Sequence, residues 1–341
     1  MTTGSAAPLA DGPERDAGIG VAVMVDGIVR EYRGEAAIEG LEGLLKEARQ
    51  AHGVVWIDLS SPTKAQVERA SSLLGLHPLI AEDILEGKQR AKLEATDDLI
   101  QIVLFALDDT ADLRAHEIDL VVGDAFLLSS HPTEWNPRGG AHFRGELDGV
   151  MRGGPDHLLW AIFDEIVDAY FPFADRLEDT IDALQDAVME QTDRDTLARV
   201  FGLKRQLIAV RRAVVPVREV LNQLTNRELA LIDPAELLYF RDIYDHVIRL
   251  TDELDNDREL VTATLDVYLS QVNNNLSAIM KRLTGVTVII AGVGAIAGIF
   301  GMSEAGLAFS GGEALGFWGV AVGTIAFSAL AALVLHRVDW I

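Results

Sequence analysis

Apolar residues recur at mostly alternating steps of three and four along the last third of the chain. They fall at Ile243, Val247, Leu250, Leu254, Val261, Leu265, Tyr268, Val272, Leu276, Ile279 and Leu283. This spacing places them on one seam of a helix. Asp257 occupies the vacant seam position, and no proline occurs between residues 239 and 303. We therefore predict a single long helix over residues 239–303.

Two uncharged apolar stretches, residues 283–303 and 314–335, are separated by a short loop at residues 304–313. Each stretch is long enough to cross a bilayer as a helix. The loop contains no Lys or Arg, whereas basic residues flank the outer ends of both stretches, so the positive-inside rule places both termini in the cytoplasm. The flanking residues are Lys281, Arg282, His336 and Arg337. We predict two transmembrane helices followed by a cytoplasmic tail at residues 336–341.

No ionisable side chain lies within either predicted span. This argues against an intramembrane proton relay or carboxylate cage, so a crossing ion would meet hydroxyl groups and backbone carbonyls. Two spans cannot enclose a pore alone, and a transporting unit must therefore be a homo-oligomer around an axis. Gly294 and Gly298 form a Gly-xxx-Gly pair, which we interpret as a helix-packing motif.

The first half of the chain alternates strand-like and helix-like segments. We expect strands at residues 21–25, 28–32, 54–59, 99–107, 118–122 and 125–129. Helices are expected at residues 36–50, after a Ser61 cap with Pro62 at the first helical position, and after His77. The pattern predicts a cytosolic α/β domain at residues 19–154, preceded by a disordered tail at residues 1–18.

Residues 155–282 are predicted to be helical throughout. An acidic helix at residues 157–191 precedes a basic helix at residues 194–227, which suggests an antiparallel hairpin held partly by facing charges. Asp233 and Pro234 are expected to begin the long stalk helix. The predicted fold class is thus an α+β membrane protein with an α/β cytosolic domain, a helical stalk and two C-terminal transmembrane helices.

Charge and composition narrow the range of possible functions. The part of the chain up to Arg282 carries 28 basic and 50 acidic residues, a net charge of −22. Such a surface binds nucleic acid poorly and concentrates cations. There is no cysteine, which excludes disulfides and thiolate chemistry. The chain has no nucleotide-binding or hydrolase motif, and His116-Glu117 lacks the second histidine of a metalloprotease motif. We predict that the protein is not an enzyme and uses no organic cofactor.

Several segments in a fixed order resemble the CorA family of divalent-cation (magnesium/cobalt) transport proteins, and the resemblance covers nearly the whole chain. They are His77-Pro78-Leu79 with Glu82-Asp83, Gln89-Arg90-Ala91-Lys92, and residues 239–246, 265–270, 280–284 and 298–302. The resemblance implies a funnel-shaped homopentamer in the cell membrane, surrounded by lipid, with the first span lining the pore.

The resemblance also implies a divalent metal cation channel or transporter that takes up Mg²⁺, with Co²⁺ and Ni²⁺ as further candidate ions. Gating by cytosolic cations would use Asp83 with Asp266 at one regulatory metal site and Glu82 with Asp242 at a second. Mg²⁺ would then be both the transported and the regulatory ion. The expected pore and selectivity residues are Gly301, Met302, Ser303, Glu304, Ser277, Met280 and Leu283.

This chain departs from the family pattern at the pore. The family's Gly-Met-Asn signature is Gly301-Met302-Ser303 here, and the deeper pore asparagine is replaced by Ser277. Serine offers a shorter acceptor than asparagine, so Mg²⁺ selectivity does not follow automatically. Two alternatives therefore stay open at this point: a zinc transporter similar to ZntB, and a non-conducting CorA-like membrane scaffold or sensor.

Overall fold

The computed structural model describes residues 18–108, 113–145, 147–190, 193–302, 313–338 and 340. The chain divides into two compact units. The first unit comprises Met1–Ala183 and Arg199–Val261, and the second comprises Leu184–Ala198 and Thr262–Ile341. The first contains the whole described sheet, and the second contains both apolar C-terminal stretches.

A mixed sheet forms the centre of the first unit. Its described strands are β1 (Gly18–Val25), β2 (Ile28–Arg33), β3 (Val54–Ser60), β4 (Lys92–Ala95), β5 (Leu99–Leu107), β6 (Ala115–Gly123) and β7 (Phe126–His131). They lie in the order β2-β1-β3-β7-β6-β5-β4. The central pair β3 and β7 is parallel, and the other neighbouring pairs are antiparallel. The predicted strands are thus confirmed, and the structure places all of them in one sheet.

Helices cover both faces of the sheet. The described helices are α1 (Glu35–Glu39), α2 (Leu41–Gln50), α3 (Lys64–Leu74), α4 (Pro78–Glu86), α5 (Leu147–Arg152), α6 (Pro155–Asp168), α7 (Phe171–Glu190), α8 (Arg194–Asn226), α9 (Leu237–Met302) and α10 (Glu313–Arg337). On one face, helices α1 to α4 share a core with Ile57 and Leu128. Trp56 and Ser129 alternate with those residues and point to the other face, where the Trp56 ring packs 5.2 Å from that of Phe143.

Three predicted helix boundaries were wrong. Helix α3 is capped by Thr63 and not by Ser61, because Thr63 and Gln66 form a reciprocal capping box. The helix expected at residues 36–50 is broken at Gly40 into α1 and α2, in keeping with the low helix propensity of glycine. The helix expected at residues 157–191 is also broken, between α6 and α7.

The break between α6 and α7 has a local cause. Pro172 lies at the start of α7, where it lacks a backbone N–H donor and restricts the residue before it. Tyr170, in the turn between the two helices, is fully buried, and its hydroxyl donates a hydrogen bond to the Phe105 carbonyl of β5. This bond ties the interhelical turn to the sheet.

Strand β4 was missed by the sequence patterns. It is four residues long and contains Lys92 and Glu94, whose charges mask the alternation of a half-buried strand. It pairs with β5 at the edge of the sheet. Charged side chains are common on such edges because they discourage pairing with other chains.

Helix α9 is 66 residues long and confirms the prediction of one continuous helix. In the first unit its seam residues Ile243, Val247, Leu250 and Leu254 are fully buried, and Asp257 is only 3% exposed. The ion pair described for the basic helix α8 joins Arg211 to Asp255 of α9. That contact differs from the predicted pairing of α8 with the acidic helix α7.

Two helical stretches in the second unit are long and apolar enough to cross a membrane, one within α9 and one at Trp318–Arg337 of α10. The helices approach closely at Gly292, where an added Cβ would lie 2.5 Å from the Phe327 ring. A Cβ added at Gly294 or Gly298 would meet nothing within 4 Å among the described residues. The described contact between α9 and α10 is therefore made at Gly292, whereas the predicted Gly-xxx-Gly pair of Gly294 and Gly298 has no described neighbour at its Cβ positions.

Candidate functional site

Asp83 lies at the centre of a hydrogen-bonded cluster between α4 and the sheet. Helix α4 begins at the His77 cap with Pro78 in its first turn, which places Asp83 on the second turn. Its carboxylate accepts hydrogen bonds from Gln89 Nε2 at 2.8 Å, Lys92 Nζ at 2.8 Å and Gln101 Nε2 at 3.3 Å. The Asp83 side chain is 19% exposed. Asp83 is thus a partly buried, already paired carboxylate.

Lys92 is the cation of this cluster. Its Nζ contacts Glu94 Oε1 at 3.0 Å in addition to Asp83. Partial burial works to lower the pKa of Lys92, but the hydrogen bonds to Asp83 and Glu94 outweigh it, so the pKa is raised. Lys92 is therefore a stable positive charge at neutral pH. Any further cation that binds Asp83 must compete with it.

Two more carboxylates, Glu117 and Asp119, belong to the same electrostatic cluster. They point to one face of β6 because they are two residues apart, and Glu117 Oε2 accepts the backbone N–H of Gln89 at 3.0 Å. Burial, reinforced by the charges of neighbouring acids, raises the pKa of each to about 7. Glu117 Oε1 and Asp119 Oδ1 have no hydrogen-bond partner among the described residues. This region therefore holds protonatable acids at neutral pH.

The other predicted regulatory acids are exposed. Glu82 lies on α4, Asp242 on α9 in the first unit, and Asp266 on α9 in the second unit. Asp242 Oδ2 lies 3.9 Å from His246 Nε2 one turn along the helix. Exposed carboxylates supply the hard oxygen ligands that Mg²⁺ prefers. Asp266, Glu82 and Asp242 fit that chemistry, whereas Asp83 fits it only in competition with Lys92.

Within the described ranges of one chain, no group of three or more His, Cys, Asp or Glu residues is arranged to hold a metal ion. A regulatory metal site built from the predicted acids therefore needs ligands from more than one chain, or water molecules in their place. Mg²⁺ normally keeps several waters and takes only one or two protein carboxylates. The carboxylates of the predicted regulatory acids are compatible with that mode of binding.

The predicted pore residues follow α9 towards its C-terminal end. Ser277, Met280, Leu283 and Gly301 are all exposed in the single chain, and Met302 is the last residue of the helix. Ser303 and Glu304, predicted to form the pore mouth, lie outside the described residues. The described pore residues are thus exposed positions on one uninterrupted helix.

Sequence reasoning missed Lys92, Gln101, Glu117 and Asp119 as neighbours of Asp83. Lys92 belongs to one of the family-like segments, but the sequence pattern predicts no strand at β4, which carries it. The available signal for the acids was the unusual presence of two carboxylates in the largely apolar strand β6. A buried acid in such a strand indicates a specific environment.

Comparison with known proteins agrees with this architecture. The model of the family "CorA-like Mg²⁺ transporter protein" matches residues 51–337. The cobalt/magnesium transport protein CorA of Thermotoga maritima is 33% identical over 271 residues, which cover 75% of this chain and 74% of that protein. The zinc transport protein ZntB of an Enterobacter species is 25% identical over only 53% of this chain and 54% of its own length.

The fold is also shared with a solved structure. The complete structure of the CorA magnesium transporter from Methanocaldococcus jannaschii matches with a TM-score of 0.78, covering 94% of this chain and 98% of that one at 23% identity. At this identity the match shows the fold alone. It includes the α/β part, the long helix and the two apolar C-terminal helices. Taken with the family match over most of its length, this places the chain in the CorA family of Mg²⁺ transport proteins.

Proposed function

We propose that this chain forms a divalent metal cation channel of the cell membrane, with Mg²⁺ as its main substrate and Co²⁺ and Ni²⁺ as further ions. The observation that carries the proposal is one face of α9 beyond residue 276. Small, hydroxyl and thioether side chains recur there at alternating steps of three and four, and all are exposed in the single chain: Ser277, Met280, Thr284, Thr287, Ala291, Gly294, Gly298 and Gly301. Such a face suits close helix packing around an aqueous path.

The chain acts as a homo-oligomer in this proposal. The apolar seam of α9 is exposed at Val272, Leu276 and Ile279, and neither apolar C-terminal stretch is covered within the chain. Copies of the same helix packed around an axis would cover the seam, and lipid would cover the outer faces. By membership of the family we assign a homopentamer.

The proposed topology follows from the charge distribution. Residues 283–303 and 314–335 span the membrane, the loop at residues 304–313 faces outwards, and residues 19–154, 155–282 and 336–341 lie in the cytoplasm. Lys281 and Arg282 bound the first span on the cytoplasmic side, which agrees with the positive-inside rule.

Permeation in this arrangement requires no fixed charge inside the membrane. Ser277, Met280 and Leu283 would line the inner part of the pore, while Gly301, Met302, Ser303 and Glu304 would form its outer mouth. Thr287 donates its hydroxyl to the Leu283 carbonyl at 2.7 Å, which leaves the Thr287 hydroxyl oxygen able to accept a bond from water. A Mg²⁺ ion would then pass with much of its water shell, because it gives up water reluctantly.

Regulation would use exposed acids as bridging ligands between subunits. Asp83 with Asp266 and Glu82 with Asp242 are the assigned pairs, and occupancy by cytosolic Mg²⁺ would favour the closed state. Removal of the cation leaves like charges facing one another, which loosens the assembly. We expect Asp266→Ala to conduct more than the parent when cytosolic Mg²⁺ is high. Equal inhibition of both proteins would show that Asp266 is only a surface charge.

The direct test of function is ion flux into sealed vesicles that contain only the purified protein. Uptake of Mg²⁺, Co²⁺, Ni²⁺ and Zn²⁺ should be compared at equal concentrations, with protein-free vesicles as the control. Saturable Mg²⁺ uptake supports the proposal. Uptake of Zn²⁺ in the absence of Mg²⁺ uptake would favour the zinc alternative, and no flux of any divalent ion would favour a non-conducting scaffold.

A further inference from the structure

A groove of about 500 Å³ lies between α3 and α4 in the first unit. It is separate from the Asp83 cluster and from the proposed pore, and it shares only Glu82 with the proposed regulatory metal sites. Its charged lining consists of Glu68, Glu82, Glu86 and Lys64, a net charge of −2 over those four groups. A volume of this size suits a small organic molecule.

The acids approach the groove from both helices. Glu82 and Glu86 are one turn apart on α4, and residues at this spacing lie on the same side of a helix with Cβ atoms about 5–6 Å apart. Glu68 lies on α3 opposite them and is 3.7 Å from Lys64 Nζ. Because Lys64 neutralises part of the charge of Glu68, Glu82 and Glu86 form the less compensated pair.

The rest of the lining is largely apolar. Leu76, Pro78, Ala81 and Leu85 contribute hydrocarbon surface between the charged groups. Ser71 also lines the groove; it is 8% exposed, and its Oγ has no hydrogen-bond partner among the described residues. A buried hydroxyl without a partner is costly, so a donor that reaches it would gain a hydrogen bond.

These features favour an organic cation over a metal ion as the ligand of the groove. The acids lie on two helices across a groove of about 500 Å³ with hydrocarbon surface between them, which is more room than a metal ion fills, so the carboxylates of the groove are better matched to positive charges held apart from one another. A ligand with an ammonium group at each end and a methylene chain between them would meet both the acids and the hydrocarbon surface. We propose that the groove between α3 and α4 binds a linear aliphatic diamine or polyamine.

The test uses the purified full chain in detergent and 1,4-diaminobutane as the probe, with binding measured by calorimetry. Butylamine, with the same carbon chain and one charge, is the matched ligand control, and NaCl and MgCl₂ are compared at equal ionic strength. Among the amines and Na⁺ we expect saturable binding of the diamine only, and we expect Glu86→Gln to leave any Mg²⁺ binding unchanged. Equal responses to butylamine or NaCl would show simple charge screening and overturn the proposal.

Variants then locate the site. Glu86→Gln should weaken diamine binding about five-fold, the upper end for loss of one solvent-exposed ion pair. Glu39→Gln, an exposed acid in the last turn of α1, is the matched control and should bind like the parent. Ser72→Lys places an ammonium group in the groove lining and should abolish binding.

Two outcomes would reject the proposal even if the protein folds and transports ions normally. One is unchanged diamine binding in both Glu86→Gln and Ser72→Lys. The other is saturable Mg²⁺ binding that Glu86→Gln abolishes together with diamine binding, because the groove would then be a metal site. Since flux is not measured here, neither result depends on whether the chain proves to be a channel.

Discussion

The two parts of the α9 seam share one sequence pattern but have opposite surroundings. In the first unit, Leu250 and Leu254 are fully buried, whereas in the second unit Leu276 and Leu283 are 56% and 60% exposed. Both parts follow the same steps of three and four. A periodic apolar seam therefore predicts that a helix will be covered, but the pattern does not say by what. In the first unit, other segments of the same chain cover the seam. In the second unit, we assign the covering of the seam to other copies of the chain and to lipid.

The contrast also separates two kinds of stability. Burial of Leu250 contributes to the folding of the first unit, at roughly 25 cal/mol for each Å² of apolar surface removed from water. Burial of Leu276 can contribute only when copies of the chain associate. Mutations in the two parts of one helix should therefore change different measurements.

The largest expected effect comes from truncating the buried seam. Leu250→Ala should lower the free energy of unfolding of the first unit by about 2–5 kcal/mol, because it removes core contacts and leaves a cavity. Thermal or denaturant unfolding of the purified protein would measure it. Leu276→Ala is the matched control and should unfold like the parent but dissociate more readily in native mass measurements. The comparison fails if Leu276→Ala destabilises folding as much as Leu250→Ala does.

The next prediction compares two glycines on α9. Gly292→Ala should destabilise the packing of α9 on α10 by about 1–3 kcal/mol, because the new Cβ would overlap the Phe327 ring. Gly298→Ala meets nothing in the described chain and should leave unfolding unchanged while lowering Mg²⁺ flux. If Gly298→Ala leaves flux at the parental level, that face of α9 does not line the pore.

At the pore mouth, Ser303→Asn should sharpen discrimination for Mg²⁺ over Ni²⁺ and Co²⁺. The longer side chain adds an amide carbonyl that can accept a hydrogen bond from the water shell. One such bond contributes about 0.5–1.5 kcal/mol, which corresponds to a two- to ten-fold change in relative flux. Competitive uptake into vesicles measures this ratio, with Ser310→Asn in the adjacent loop as the control. An unchanged ratio would remove Ser303 from the selectivity residues.

The smallest expected effect concerns Asp257, the one acid on the buried part of the seam. Burial, with the nearby charges of Glu253, Glu178 and Asp182, raises the pKa of Asp257 to about 6. A raised pKa means that the folded state favours the protonated form. The contribution of Asp257 to stability is therefore greatest below pH 4 and is lost as the pH rises through about 6.

Asp257→Asn removes that ionisation while keeping a side chain of similar shape. It should raise the unfolding midpoint by a few degrees at pH 7.5 and by less at pH 5. Asp252→Asn, on an exposed position of the same helix, is the matched control and should show no such pH dependence. A gain that is equal at both pH values would mean that Asp257 does not titrate in this range.

The sequence alone determined the elements with strong periodicity. The long helix, the two apolar stretches and most strands were predicted because each depends on the local spacing of apolar residues. Buried side chains recur about every 3.6 residues in a helix and every 2 residues in a strand. The family, too, was recognisable from short segments in a fixed order. Local breaks were predicted less well, since the apolar pattern continues across Gly40 and across the turn before Pro172, where the helices are interrupted.

Only the tertiary structure decided the surroundings of the candidate site residues. Asp83 was identified from its sequence context, but its pairing with Lys92 depends on β4 lying beside β5. The raised pKa values of Glu117 and Asp119 likewise depend on burial by distant segments. The seam of α9 is the clearest case, because identical periodicity gives a covered surface near Leu250 and an open one near Leu276. Periodicity is a local property of the chain, whereas burial and electrostatic environment depend on which segments meet in space.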